Sequence, residues 1–208
     1  MLIREFCTEN FTDIPRAARA GIERIELCDN LAVGGTTPSF GVIQEAADYL
    51  SETQTTLAVM IRPRAGNFVY NSHELKIMEI DTIKAVEAGA QALVFGCLSE
   101  DNKIDTEAMN TLMIASQGLP VTFHMAFDAI ADINKRPALE AIADAGIEKI
   151  LLHGDPLDKP LNTEKIAALT RVLPEGLELM IGGGVTKDNA ENLAKAAHVH
   201  FVHGTQII

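Results

Sequence analysis

The 208-residue sequence has no tryptophan, only three cysteines, and 17 Lys and Arg against 29 Asp and Glu, a formal net charge of −12. Each shortage excludes something. Phosphate-rich partners need clustered cations, so neither nucleic acid nor an anionic membrane surface is expected as a partner. Three cysteines are an odd and small number, which does not describe a secreted disulfide framework. Met1-Leu2-Ile3-Arg4-Glu5 is too short and too charged for a secretory leader. No apolar run approaches the roughly 20 residues of a membrane span. There is no Pro/Gly/Ser-rich linker, and no Cys-x-x-Cys, His-Glu-x-x-His, Gly-x-Ser-x-Gly or Walker pattern. The expectation is a reduced, cytoplasmic protein with one domain over residues 1–208.

What is present is a repeated unit: a helical stretch, Ala-Gly, then a short apolar strand. Ala20-Gly21 precedes Ile25-Glu26-Leu27, Ala88-Gly89 precedes Ala92 to Gly96, and Ala145-Gly146 precedes Ile150 to Gly154. Ala196-Ala197 precedes Val199 to Gly204 in the same way. Glycine suits the left-handed position just past a helix, from which a short link feeds the next strand. Four more strands lie at Leu2–Cys7, Thr56–Pro63, Pro120–Met125 and Leu177–Gly182. Helical stretches fall near 12–20, 40–50, 74–88, 105–116, 134–145, 163–172 and 187–197. Eight strands alternating with helices in this length predict a small α/β (βα)8 TIM barrel with the last helix lacking or truncated. A flavodoxin-like open sheet is the alternative, but it needs only five or six strands.

A parallel barrel turns the apolar alternate residues outward to the helices and the other set inward. Glu5 and Cys7, Glu26 and Cys28, Met60 and Arg62, Thr122 and His124, Met180, and His200 are therefore expected inside. Val199 and Phe201 are expected outside. Polar and sulfur-bearing side chains thus gather toward the strand C-termini, where barrel sites sit. Cys7 and Cys28 are expected at equivalent places on adjacent strands, about 5 Å apart, as candidate metal ligands. Arg62 is the cation expected to favour their thiolates or to neutralise an anionic ligand. Glu26 and His124 are candidate general bases, and Asn30, Asp128, Gly183 and Gly184 are candidate ligand-binding residues. Gly182-Gly183-Gly184, read as opening a helix, would cradle an anion on its backbone N–H groups. Bland alternatives are a satisfied internal ion cluster for Glu5, Glu26 and Arg62, buried structural thiols, and a tight turn for the glycines. His153, His200 and His203 carry weaker signals.

Several long motifs lie in order along nearly the whole chain. They are Arg24-Ile25-Glu26-Leu27-Cys28-Asp29-Asn30, Gly34-Gly35-Thr36-Thr37-Pro38-Ser39, Met60-Ile61-Arg62-Pro63-Arg64 with Gly66-Asn67-Phe68-Val69-Tyr70, Phe123-His124 with Ala126-Phe127-Asp128, and the glycine run. On these the chain resembles the copper homeostasis protein CutC family. The resemblance implies a cytoplasmic (βα)8 barrel tied to copper handling and Cu(I) binding, with the family's strand-end thiols matching Cys7 and Cys28. The chain departs from the family pattern at Met125, where arginine is usual, and at His153-Gly154-Asp155, where Ser-Gly-Gly is usual. Two functions from different classes follow. One is a Cu(I)-binding protein, because thiolate and thioether select that ion, with Met60, Met125 or His124 as a third ligand. The other is a TIM-barrel enzyme on a small anionic metabolite, phosphorylated metabolites being one class of candidate. The sequence favours copper, and a homo-oligomer is compatible with it.

Overall fold

A computed structural model describes residues 1–208. Eight strands alternate with seven α-helices. The strands are β1 (Ile3–Glu9), β2 (Arg24–Cys28), β3 (Thr56–Met60), β4 (Ala92–Phe95), β5 (Val121–Phe123), β6 (Lys149–Leu152), β7 (Glu178–Ile181) and β8 (Phe201–Gly204). The helices are α1 (Ile14–Arg19), α2 (Phe40–Leu50), α3 (Ser72–Glu87), α4 (Thr106–Ala115), α5 (Asp132–Asp144), α6 (Thr163–Thr170) and α7 (Ala190–Ala197). All strand pairings are parallel and β8 closes on β1, so the sheet is a barrel. No helix is long and apolar enough to cross a membrane.

Local chemistry explains the boundaries. Gly21, Gly89 and Gly146 take φ of +67°, +97° and +81°, which ends the preceding helices as the Ala-Gly repeat predicts. His198 fills that role after α7, at φ +56°. Asn71 and Glu74 form a capping box at α3, and Ser39, Asp105 and Asn162 cap α2, α4 and α6 with their side chains. Outward residues such as Ile25, Leu27, Leu57, Val59, Leu93 and Phe123 join the helices in one cluster of 46 buried residues. That layer holds the helical ring on the barrel.

The barrel interior is a different medium. Its lower layer contains Leu151, Met180 and Phe201, and a second cluster contains Cys7, Cys28, Ala58, Met60, Ala92 and Val94. Arg24, Glu5 and His203 share this interior: Arg24 Nε donates to Glu5 Oε2 at 3.0 Å, and Glu5 Oε1 lies 2.9 Å from His203 Nδ1. The eighth strand runs in the phase opposite to the one expected. Phe201 points inward, with the Lys149 ammonium 4.0 Å from its ring centre, Val202 packs outward, and His200 is exposed. Consecutive apolar residues at Phe201 and Val202 make either phase plausible on hydropathy alone. Pairing decides it, because Ile3 stands opposite Phe201 and the inward Glu5 stands opposite His203.

Candidate metal and ligand site

A cavity of about 550 Å³ opens at the C-terminal mouth of the barrel, with Cys7, Cys28, Glu26 and His203 in its lining. The register of β1 and β2 sets this floor. Cys7 is paired with Glu26, while Cys28 lies two residues further along, opposite Glu9. The two thiols are therefore staggered rather than equivalent, because the strands of a barrel are sheared relative to one another. Both still point inward into one cluster. Cys7 Sγ lies 3.2 Å and Cys28 Sγ 3.5 Å from the same Glu26 oxygen, Oε2. Cys7, Glu26 and His203 bring one ligand atom each within 4.8 Å of one another.

Electrostatics ties this group together. Burial pushes the Glu5 carboxyl up, but the Arg24 guanidinium and the His203 hydrogen bond outweigh it and hold the group at about 2. Burial would also strip His203 of its second proton. Glu26, Cys7 and Glu5 around it instead lift it well above the ordinary imidazole value. A hydrogen bond from the Cys28 thiol favours the Cys7 thiolate against the cost of burial, and His203 adds to it, so Cys7 sits well below the usual thiol range. Donating that bond, with burial added, raises Cys28. Burial, followed by the neighbouring Cys7 charge, raises Glu26 well above the carboxylate range. Cys7 and Glu26 thus share one negative charge opposite the His203 imidazolium.

The donor set fits a soft cation. Two sulfurs and an imidazole lie buried together, which suits a monovalent copper ion better than a hard one. Glu5 binds Nδ1 of His203 and leaves Nε2 directed at the Glu26 side, 3.8 Å from Oε2. A carboxylate behind the histidine is the usual support for a metal-binding imidazole. Glu26 Oε1 is buried with no partner, an acceptor left free on the floor. Of the expected third ligands, Met60 packs with both thiols, whereas Met125 packs with the Leu151 and Met180 layer and His124 lies against the Phe68 ring at 4.8 Å.

Arg62, His124, Gly183 and Gly184 line the mouth, and Asn30 and Asp128 do not. Arg62 does not serve the thiols. Its Nη1 donates to the carbonyls of Val33 and Gly35 at 3.1 and 2.9 Å, its Nη2 donates to Gly66 at 2.9 Å, and its Nε is unpaired over Phe68. The cation beside Cys7 is His203. His124 is buried and neutral: burial, with Arg62 adding to it, lowers its pKa to about 3. Its Nδ1 accepts from the Ala126 N–H at 3.3 Å, which puts the ring proton on Nε2, and that atom has no partner. A neutral ring with that tautomer is a hydrogen-bond donor to the cavity rather than a base. Asp128 accepts from the N–H groups of His153 and Gly154, both at 2.8 Å, so it ties the turn after β5 to the loop after β6. Asn30 is exposed at φ +51° and lines, with Asp13 and Asp29, a second cleft that shares Cys7, Leu31 and Thr205 with the mouth cavity. Cys97 is buried in the outer core with the helices, and burial pushes its thiol up. Gly183 and Gly184 do line the mouth, but α7 starts only at Ala190, so the glycine run is a turn and not a helix start.

His203 is the residue that reading the sequence undervalued. The inward Glu5, the shared His203–Glu5 register and the strand-end position could have found it once the phase of β8 was known. Gly204 was a further signal. A Cβ there would lie 2.4 Å from the Val185 carbonyl oxygen, because the turn after β7 runs directly over the end of β8.

The family model described as the CutC family matches residues 2–208. A CutC family protein of Streptococcus pyogenes serotype M6 is 49% identical, with 100% of both chains covered. The copper homeostasis protein cutC homolog of Homo sapiens is 37% identical over 97% of this chain and 72% of its own length. Among solved structures, a CutC protein of Streptococcus agalactiae is 50% identical, covers 100% of both chains and superposes with a TM-score of 0.96. A deoxyribose phosphate aldolase of Aeropyrum pernix, at 12% identity and TM-score 0.75 over 98% of this chain and 86% of its own, shares the fold.

Proposed function

The chain belongs to the CutC family, and from that premise we propose that it serves copper homeostasis in the reducing cytoplasm by holding Cu(I) on the barrel floor. Cys7, Cys28 and His203 are the ligands and Glu26 is the acceptor beside them. The observation that carries this reading is the convergence of Cys7, Glu26 and His203 within 4.8 Å, with the Cys28 thiol bonded into the same group. The copper homeostasis name of the human relative supports it.

The residues account for what loading requires. Thiolates and a neutral imidazole are the binding forms, so uptake releases protons. Cys7 is already close to its thiolate. Cys28 must give up its S–H proton, and His203 must release the one on Nε2 while Glu5 keeps the ring in place through Nδ1. Glu26 stands 3.2 and 3.5 Å from the two sulfurs and holds the proton that accompanies the Cys7 thiolate, so the Cys28 and His203 protons leave to solvent on loading.

The test is anaerobic titration of reduced protein with Cu(I) against a competing chelator. The wild-type protein should hold one equivalent tightly, Cys7→Ser with Cys28→Ser should lose it, and Cys97→Ser should keep it. Glu5→Gln should weaken it by roughly 10–100-fold, the usual cost of losing the group behind a ligating histidine. A double serine variant that titrates like wild type would sink the copper reading.

A further inference from the structure

The copper reading uses the floor of the cavity and leaves the wall formed by the turn after β7 idle. That wall is a row of donors without acceptors. The Gly182 N–H bonds the Leu152 carbonyl at 3.1 Å, and the Thr186 N–H bonds Asn189 Oδ1 at 2.8 Å. Between them the N–H groups of Gly183, Gly184 and Val185 reach no acceptor in the protein. Gly184 is exposed and Gly183 half-buried, but Val185 is only 2% exposed, and an unpaired N–H that deep is rare in folded proteins. The backbone is committed to this shape: Gly183 and Gly184 have φ of +84° and +80°. Gly183 backs onto His153 and Leu157, where a Cβ would lie 2.5 and 2.7 Å from their atoms, but a Cβ on Gly184 would meet nothing within 4 Å. The free side of the turn is therefore open, and all three residues line the mouth. The same cavity holds three unpartnered buried polar atoms: Glu26 Oε1, Arg62 Nε and His124 Nε2.

We propose that the cavity binds a small phosphate monoester, with its phosphate on the N–H groups of Gly183, Gly184 and Val185 and its organic part reaching toward the unpartnered groups of Arg62, His124 and Glu26. Three successive donors match the several oxygens of a phosphate better than the two of a carboxylate. The turn after the seventh strand is also where barrels commonly hold phosphate. The cavity's size, about 550 Å³, accommodates a small metabolite. The phosphate donors are backbone groups of the turn after β7 and none of the copper ligands, and Glu26 alone borders both sites, so loss of the thiols tests copper without removing a phosphate donor.

The experiment uses reduced, metal-free full-length protein, titrated with inorganic phosphate and with glycerol 3-phosphate, by calorimetry and phosphorus NMR. Saturable one-to-one binding is expected, tighter for the ester. Gly184→Asp adds a carboxylate to the donor turn itself, where a Cβ meets no clash, and its charge should weaken binding by at least about tenfold. Gly184→Asn tolerates the same backbone conformation without the charge and should stay within about threefold of wild type. Circular dichroism and thermal melts confirm that both variants fold. Cys7→Ser with Cys28→Ser should bind inorganic phosphate as wild type does, whatever becomes of copper, because neither thiol is among the phosphate donors. Absence of saturable binding in the wild-type protein, or equal affinity of the Gly184→Asp variant, would overturn the proposal. So would malonate competing as well as the phosphates do, which would make the site a carboxylate site.

Discussion

Changing Glu5 to Gln keeps the shape of the side chain and removes one buried charge. Glu5 is fully buried and is bonded to Arg24 at 3.0 Å and to His203 at 2.9 Å. Its carboxyl sits at about 2 instead of 4.5. A difference of about 2.5 units at roughly 1.36 kcal/mol each is worth about 3 kcal/mol at neutral pH. Independently, removing one partner of a buried ion pair costs about 3–5 kcal/mol. The two figures agree, so urea unfolding at pH 7 should show the variant less stable by about 3 kcal/mol with an unchanged slope. The sign of the pH dependence follows from the direction of the shift. A folded-state pKa below the unfolded value stabilises fully above about 4.5, and the contribution fades as pH falls toward about 2. The gap between wild type and variant should therefore be halved near pH 3, to about 1.5 kcal/mol. His203 behaves in the opposite sense. Its raised value stabilises fully below the ordinary imidazole pKa, and that contribution is lost as pH rises through the folded value. A gap under about 1 kcal/mol at pH 7, or one that does not shrink in acid, would refute the idea that Glu5 is an ionised anchor for Arg24 and His203.

Asp128→Asn leaves one carbonyl oxygen to accept what two carboxylate oxygens accept now, from His153 and Gly154. It should lower stability by about 1–3 kcal/mol in urea and leave the Cu(I) titration unchanged. A large loss of Cu(I) affinity would make Asp128 more than a structural tie. Cys97 should resist iodoacetamide in the native state and react after unfolding, since it is 1% exposed. Rapid native labelling would contradict its place in the outer core. The phase of β8 is tested by a pair of alanine variants read by thermal melts. Phe201→Ala should cost about 3–5 kcal/mol as a cavity in the barrel interior, while His200→Ala should stay within about 0.5 kcal/mol. The reverse order would shift the strand by one residue.

The local chemistry of the chain was sufficient for the architecture. Ala-Gly pairs ending helices, short apolar strands at regular spacing and capping residues such as Ser39, Asn71 and Asp105 each act within a few residues. The eight strands and seven helices accordingly lie close to their expected places. Period-two alternation also put Glu5, Cys7, Glu26 and Cys28 inside, because strong contrast between neighbours such as Ile25 and Glu26 leaves one phase. At Phe201-Val202 the contrast vanishes, and with it the assignment of His200 over His203. Only the pairing of β1 with β8, across 198 positions of sequence, brings Glu5 to His203 and completes the floor of the site. The roles of Arg62 and His124 were likewise beyond the sequence. Residue type declares a cation and an imidazole, but the carbonyls of Val33, Gly35 and Gly66 that occupy the guanidinium come from loops folded over the mouth. The Ala126 N–H that selects the His124 tautomer is set by the turn after β5. The sequence by itself determined which elements form and which side chains face inward wherever the alternation is unambiguous, because those are short-range properties of the backbone and of hydropathy. Tertiary structure alone decided the shear that staggers Cys7 against Cys28, the choice of His203 as their cation, and the idle donors of Gly183, Gly184 and Val185. Each of these depends on groups far apart in the chain meeting in a closed barrel, where a buried charge or N–H takes its character from whatever is packed beside it.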